Sequence, residues 1–230
     1  PGSVPVPGAQ LTRPKRWIME TKLPTVGADA SEGNGSPKGR QVTQAKLTTL
    51  EIVSDPGEGA QKCATTFGAV SAKMGNGVWT VEIIPAEVQP PPRLPAGASG
   101  NRIRIGSVPV TNWGDKSGVI VALNEQVLLA RHRLGALEDD AVVLLENMWK
   151  THKDEDIQQQ WKEAMEELAD TNYRIVEVPM EEECLKIVDN PRRGKNMWVL
   201  GLLCYIYDRD LEIAAAQIAH AFRKKAQAIT

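Results

Sequence analysis

Apolar and polar positions change period several times along the chain, and each change predicts an element. LTTLEIV (47–53) is a short, β-branched apolar run and predicts a strand. AQKCATTFGAVSAKM (60–74) predicts a helix whose small residues let it approach a sheet or a ligand closely. VWTVEII (78–84) predicts a second strand. PAEVQPPPRLPAGASG (85–100) cannot be helix or central strand, because its prolines remove donors and fix φ; it predicts a long loop, of a length that often serves function. NRIRIG (101–106) alternates as a half-buried strand does, and GVIVAL (118–123) is apolar throughout, like a strand covered on both faces. NEQVLLARHRL (124–134) predicts an amphipathic helix and AVVLLEN (141–147) a buried strand. A polar helix with a narrow apolar stripe follows at 154–170, then a strand, YRIVEVP (173–179). EEECLKIVD (181–189), KNMWVLGLLCYIYD (195–208) and LEIAAAQIAHAFRKK (211–225) predict three helices, the last two joined by a tight turn at Arg209 and Asp210.

Strands that alternate with helices predict an α/β fold: a mainly parallel sheet with helices on both faces and one or two strands reversed. No internal repeat is present. Residues 1–46, rich in Pro, Gly, Ser and charge, predict an extended N-terminal arm or linker ahead of one α/β domain over 47–230. Trp17, Ile18 and Met19 would anchor that arm on a partner subunit, since apolar residues in a polar segment need burial.

Charge and composition narrow the function. The net charge is -2, with no basic excess to suggest a nucleic-acid or membrane-surface partner. The longest apolar run, near MWVLGLLCYIY (197–207), is too short to span a bilayer, and the first residues contain no apolar signal core; both predict a cytoplasmic protein. Cys63, Cys184 and Cys204 are far apart and form no CxxC pair, which argues against a disulfide framework or an iron–sulfur site on this chain. His132, His152 and His220 are placed on separate polar helix faces without partners at metal-ligand spacing.

Three stretches carry candidate chemistry, each with a plainer reading beside it. In SDPGEGAQK, Gly57 and Gly59 permit positive φ, the following helix offers backbone N–H groups to an anion, and Lys62 would add charge. Ala60 stands where the dinucleotide fingerprint has glycine, and no acidic residue is placed for a ribose, so a structural turn competes with a ligand loop. In NRIRIG, Arg102 and Arg104 share one strand face and suit a carboxylate or phosphate; surface salt bridging is the alternative. In VDNPRRGKNMW, Arg192, Arg193 and Lys195 precede Asn196 at a helix start, where a ligand phosphate, a partner carboxylate or plain solvent would offset them. No nucleophile–base pair is visible, which points to a subunit serving an active site housed elsewhere.

GNRIRIGSVPVTNWGD, ALNEQVLL, YRIVEVP and KNMWVLGLLCYIYDRDLE together resemble the gamma subunit or gamma domain of 2-oxoacid:ferredoxin oxidoreductases, most closely the 2-oxoglutarate branch, over about 47–225. The glycine turn resembles a degenerate form of that family's GxGGQG, with Gly57, Gly59 and Gln61 matching and Ala60 and Lys62 departing. The resemblance implies a Rossmann-like domain that assists coenzyme A (CoA) binding and core assembly while a 2-oxoacid is converted to acyl-CoA and CO2, with electrons passing to ferredoxin or another acceptor. Thiamine diphosphate, Mg and 4Fe–4S clusters would be held by alpha and beta catalytic subunits, with a ferredoxin-like subunit as a further partner, and none by this non-catalytic chain. The residues carried to the CoA side are Gly57, Gly59 and Gln61, joined by Lys62, Arg102 and Asn196 on charge and position. A structural assembly subunit without ligand, an aryl-2-oxoacid (indolepyruvate or phenylglyoxylate) enzyme, and a free nucleotide-binding module are the rivals. The chain stops at Thr230, after its last helix, as a separate gamma subunit or an excised piece of a longer chain would.

Overall fold

The computed structural model describes residues 20–21, 43–86, 90–191 and 194–223. Trp17, Ile18, Met19, Arg192 and Arg193 lie outside the described residues.

The elements in chain order are β1 (Glu20–Thr21), β2 (Thr43–Gln44), β3 (Leu47–Ser54), α1 (Ala60–Lys73), β4 (Gly77–Ile83), β5 (Ser99–Gly106), β6 (Ser117–Ala122), α2 (Glu125–Arg133), β7 (Leu137–Glu146), α3 (Glu155–Leu168), β8 (Arg174–Val178), α4 (Met180–Leu185), α5 (Lys195–Ile206) and α6 (Leu211–Phe222). Six strands form one sheet in the order β4-β5-β3-β6-β7-β8. β3, β6, β7 and β8 run parallel; β5 runs antiparallel to both of its neighbours and is the reversed strand the alternation allowed for.

Two apolar layers sandwich the sheet. One gathers Leu50, Ile52, Ile103, Ile105 and Val121 beneath Phe67 and Val70 of α1, Val199 and Leu203 of α5, and Ala214 of α6. The other joins Val53, Ile120, Val143 and Leu145 to Val127 and Leu128 of α2 and to Trp161 and Leu168 of α3. Period two along β3 explains the split: Leu50 and Ile52 face one layer, Val53 the other. Each such side chain taken out of water contributes about 1.5–3 kcal/mol before entropy is set against it. α2 and α3 cover the β3–β8 half of their face, and among the described residues no helix covers β4 and β5 on that side.

Several boundaries differ from the sequence reading for local reasons. β5 starts at Ser99 because Gly100 lets it press on β3; a Cβ there would lie 1.9 Å from the Ile52 carbonyl oxygen. The proline loop holds a 3-10 turn over Pro95–Gly97, where proline at the first position forfeits no needed N–H. α4 ends at Leu185, short of the 181–189 reading. The arm adds a two-residue antiparallel ladder, β1 with β2, which a polar linker did not suggest; Thr21 pairs there with Thr43. His152 stands in the turn before α3 instead of on a helix.

Candidate functional site

β3 passes into α1 on one face, and β6 passes into α2 on the other. The chain therefore parts at the C-terminal ends of these adjacent parallel strands, the place where open α/β sheets form a crevice. The glycine turn forms one wall. Gly57 and Gly59 have φ of 90° and 87°, the left-handed region that glycine adopts without a steric penalty. Between them Glu58 folds back: Asp55 N donates to its carboxylate at 3.1 Å, and Glu58 N donates to the Asp55 carbonyl at 3.3 Å.

The start of α5 closes over this turn. A Cβ on Gly59 would lie 2.4 Å from Asn196 Nδ2, so the asparagine occupies the space the glycine leaves. Lys195 is buried, with Nζ 3.2 Å from Glu58 and 3.4 Å from Glu181. Glu146, fully buried at the end of β7, accepts from the Glu181 N–H at 2.8 Å and the Met148 N–H at 3.2 Å. Burial pushes the Glu58 and Glu146 carboxyls above their ordinary range despite the lysine nearby. Burial pulls Lys195 down, but Glu58, Glu146 and Glu181 together outweigh it and hold the ammonium above its usual value.

The opposite wall is Asn124 and Glu125 at the head of α2. Asn124 caps the helix, accepting from Val127 N at 2.9 Å. Arg93, from the proline loop, fills the crevice between the walls. Its backbone takes φ of 58° and donates to Asp55 Oδ2 at 3.0 Å. Its guanidinium is ion-paired with the fully buried Glu125 and lies 4.4 Å over the Trp149 ring. Desolvation raises the Asp55 pKa, an effect partly offset by the Arg93 N–H. Asn124 Nδ2 favours the Asp55 carboxylate from nearby yet lies outside hydrogen-bonding geometry. Asp55 Oδ1, Asn124 Nδ2 and Arg93 Nε are buried without a hydrogen-bond partner among the described residues.

The six residues carried forward from the sequence separate in space. Gly57, Gly59 and Asn196 meet at the turn, and Gln61 follows on the first turn of α1, half-buried. Lys62 is exposed on α1, with Nζ 5.9 Å from the Phe222 ring of α6. Arg102 sits in the middle of β5, on the face opposite the α1 layer, and is committed to protein partners. Its Nε donates to Glu51 at 2.8 Å, and its terminal nitrogens donate to the Gly114, Asp115 and Ala136 carbonyls at 2.9, 2.9 and 3.3 Å. The salt-bridge reading thus fits Arg102, except that the bridge is buried. Lys195, read within a basic loop, faces carboxylates.

Sequence reasoning passed over Asp55, Arg93, Glu125 and Glu146. A carboxylate closing a fully apolar run, as in AVVLLE, is the signal that could have found Glu146. Nothing local could have found Arg93, whose partners are distant in sequence.

Among the described residues no group of three His, Cys, Asp or Glu side chains could hold a metal ion, and no helix is long and apolar enough to cross a membrane. The three cysteines are free and buried; burial drives the Cys63 thiol far up and the Cys204 thiol to about 11.

Residues 51–230 match the family model described as pyruvate ferredoxin/flavodoxin oxidoreductase. A curated relative, 2-oxoglutarate oxidoreductase subunit KorA of Mycobacterium tuberculosis, is 28% identical over 183 residues, covering 76% of this chain and 28% of its own length. The chain thus spans little more than a quarter of that relative. Among solved structures, 2-oxoglutarate:ferredoxin oxidoreductase from Magnetococcus marinus, with 2-oxoglutarate, coenzyme A and succinyl-CoA bound, aligns at a TM-score of 0.60 and 18% identity over 80% of this chain and 28% of that one. The gamma subunit of the keto/oxoacid ferredoxin oxidoreductase from Geobacter sulfurreducens aligns at a TM-score of 0.53 and 15% identity over 77% of this chain and 89% of that one. Both likenesses are likenesses of fold.

Proposed function

This chain belongs to the pyruvate ferredoxin/flavodoxin oxidoreductase family, and from that premise we propose that it is the gamma-type component of a 2-oxoacid oxidoreductase. The complex takes a 2-oxoacid and CoA to acyl-CoA and CO2, delivering two electrons to ferredoxin or a similar acceptor. The observation that carries this reading is the family match along nearly all of the described domain, 51–230. The relative named for 2-oxoglutarate favours that acid as substrate.

Thiamine diphosphate, Mg and iron–sulfur clusters would be held by partner subunits or domains, and they supply decarboxylation and electron transfer there. This chain would meet CoA at the crevice beside the glycine turn. The residues present suit the uncharged amide-bearing part of CoA better than its phosphates. Glu58, Glu146 and Glu181 surround one buried lysine, whereas Asp55 Oδ1, Asn124 Nδ2 and Arg93 Nε lack hydrogen-bond partners among the described residues. Lys62, exposed on α1, would meet a phosphate outside the crevice.

One observation favours the rival reading of an assembly subunit without ligand: Arg93 and Asn196 already fill much of the space. Anaerobic capture of the tagged chain with its partners separates the two. Co-elution of iron, thiamine diphosphate and 2-oxoacid-dependent acyl-CoA formation supports the oxidoreductase component, and a cofactor-free lone chain overturns it. Within an active complex, Asn124→Ala and Lys62→Ala raise the KM for CoA if this chain lines the CoA site; an unchanged KM in both leaves the assembly role.

A further inference from the structure

The strongest unassigned feature is on the sheet face that α2 and α3 leave bare. A cleft of about 320 Å³ opens there, walled by Val81, Ile83, Ile84 and Trp113 and reaching Arg102 and Arg131. That volume is at the small-ligand end of the range for binding pockets, roughly 300–1,000 Å³. Ile84 is 71% and Trp113 54% exposed, so apolar surface is presented at the mouth, not hidden in a core.

Its charge does not balance. Glu51 on β3 is fully buried and accepts from Arg102 Nε at 2.8 Å, from Arg131 Nε at 2.7 Å and Nη2 at 3.0 Å, and from Ser117 Oγ at 3.2 Å. Two guanidiniums share one carboxylate, and the side chains of Arg102 and Arg131 are only 11% and 13% exposed. One positive charge is left over in a poorly hydrated place, an unfavourable state unless an anion joins it. Arg102 spends its donors on Glu51 and three carbonyls, but Arg131 Nη1 donates to nothing among the described residues. Arg104, on the same strand face, pairs with Asn112, and its Nε is buried without a partner among the described residues. The acid lining the cleft, Glu82, is exposed to solvent and so weakly coupled to the buried charge.

We propose that this cleft binds a small organic monocarboxylate. The carboxylate takes the open edge of Arg131 and neutralises the surplus charge, while an apolar body lies against Trp113, Val81 and Ile83. A phosphate suits the site less well, because it would bring two charges to one surplus cation and no apolar surface to the walls. The proposal rests on the cleft alone and stands apart from the family reading.

The test is isothermal titration and saturation-transfer NMR on the full chain, with phenylacetate and its neutral counterpart phenylacetamide as probes. Phenylacetate is expected to bind at least ten-fold more tightly than the amide. Arg131→Gln is expected to abolish that preference, and Trp113→Ala, at an exposed position that leaves the fold alone, to weaken both probes several-fold. Equal binding of acid and amide, no binding of the acid, or binding untouched by both substitutions overturns the proposal. So does a chain inert to phenylacetate whose Arg131→Gln and Trp113→Ala variants lose capture of partner subunits, since the cleft would then receive an acidic side chain from a partner.

Discussion

Glu51 is the residue whose neutralisation should be felt most. It is fully buried in the middle of β3 and holds two arginines, and Glu51→Gln keeps its volume while removing its charge. Two largely buried guanidiniums would then face each other without a counter-charge. Breaking a buried pair in this way costs about 3–5 kcal/mol. For a domain of this size each kcal/mol moves the melting midpoint by roughly 2–4 °C, so a fall of roughly 6–20 °C is expected. Arg131→Gln is the control. It leaves a neutral Glu51–Arg102 pair and should cost only the lost charge-assisted hydrogen bonds, roughly 1.5–3 kcal/mol. Urea unfolding followed by circular dichroism, with the slope checked for constancy, measures both. If Arg131→Gln costs as much as Glu51→Gln, the surplus-charge account of the cluster is wrong.

Two further expectations concern the crevice. Gly57→Ala and Gly59→Ala place the same residue at nearly the same φ, but a Cβ on Gly57 meets nothing within 4 Å and one on Gly59 meets Asn196 Nδ2 at 2.4 Å. The first should cost only left-handed strain, about 1–2 kcal/mol, and the second clearly more; equal urea midpoints would show that Asn196 yields freely. Lys195 is held above its ordinary pKa by carboxylates, so its contribution to stability is complete below its unfolded value of about 10.4 and lost as pH rises through the folded value. Tyr207 and the Cys63 thiol, also raised by burial, add an alkaline decline of the same sign. The difference between the parent and Lys195→Met is therefore the readout: it should hold constant up to about pH 10 and shrink above it, and a difference that stays constant beyond that point would refute the linkage.

The fold was legible because its strands are coded locally. GVIVAL and AVVLLEN announce two-sided burial by composition alone, and they became β6 and β7. The single reversed strand, β5, could be foreseen only as an option, since strand direction depends on which neighbour a segment meets. The site was less legible. Gly57 and Gly59 adopt the left-handed backbone their glycines suggested, because φ is a property of one residue. Arg102 was read by its strand face, which is local, but its partners Glu51, Gly114 and Ala136 come from three other segments. Arg93 was invisible for the same reason: a lone arginine in a proline loop gains meaning only when the loop brings it against Asp55 and Glu125.

The order of strands in the sheet also has a consequence for the chain as it is being made. β3 is the first strand of the sheet to leave the ribosome, and Leu50, Ile52 and Val53 are wholly buried in the finished domain. Both of its neighbours are late: Leu50 pairs with Ile103 on one side and Val119 on the other, while β4, which follows first, never touches it in the sheet. The nascent apolar strand must therefore wait through α1, β4 and the proline loop before either edge is paired. β7 and β8 instead each dock on the strand just made, while β6 returns to β3. Synthesis thus leaves the early half of the sheet open to chaperones and to wrong partners for the longest time, and non-local pairing there sets the pace of folding.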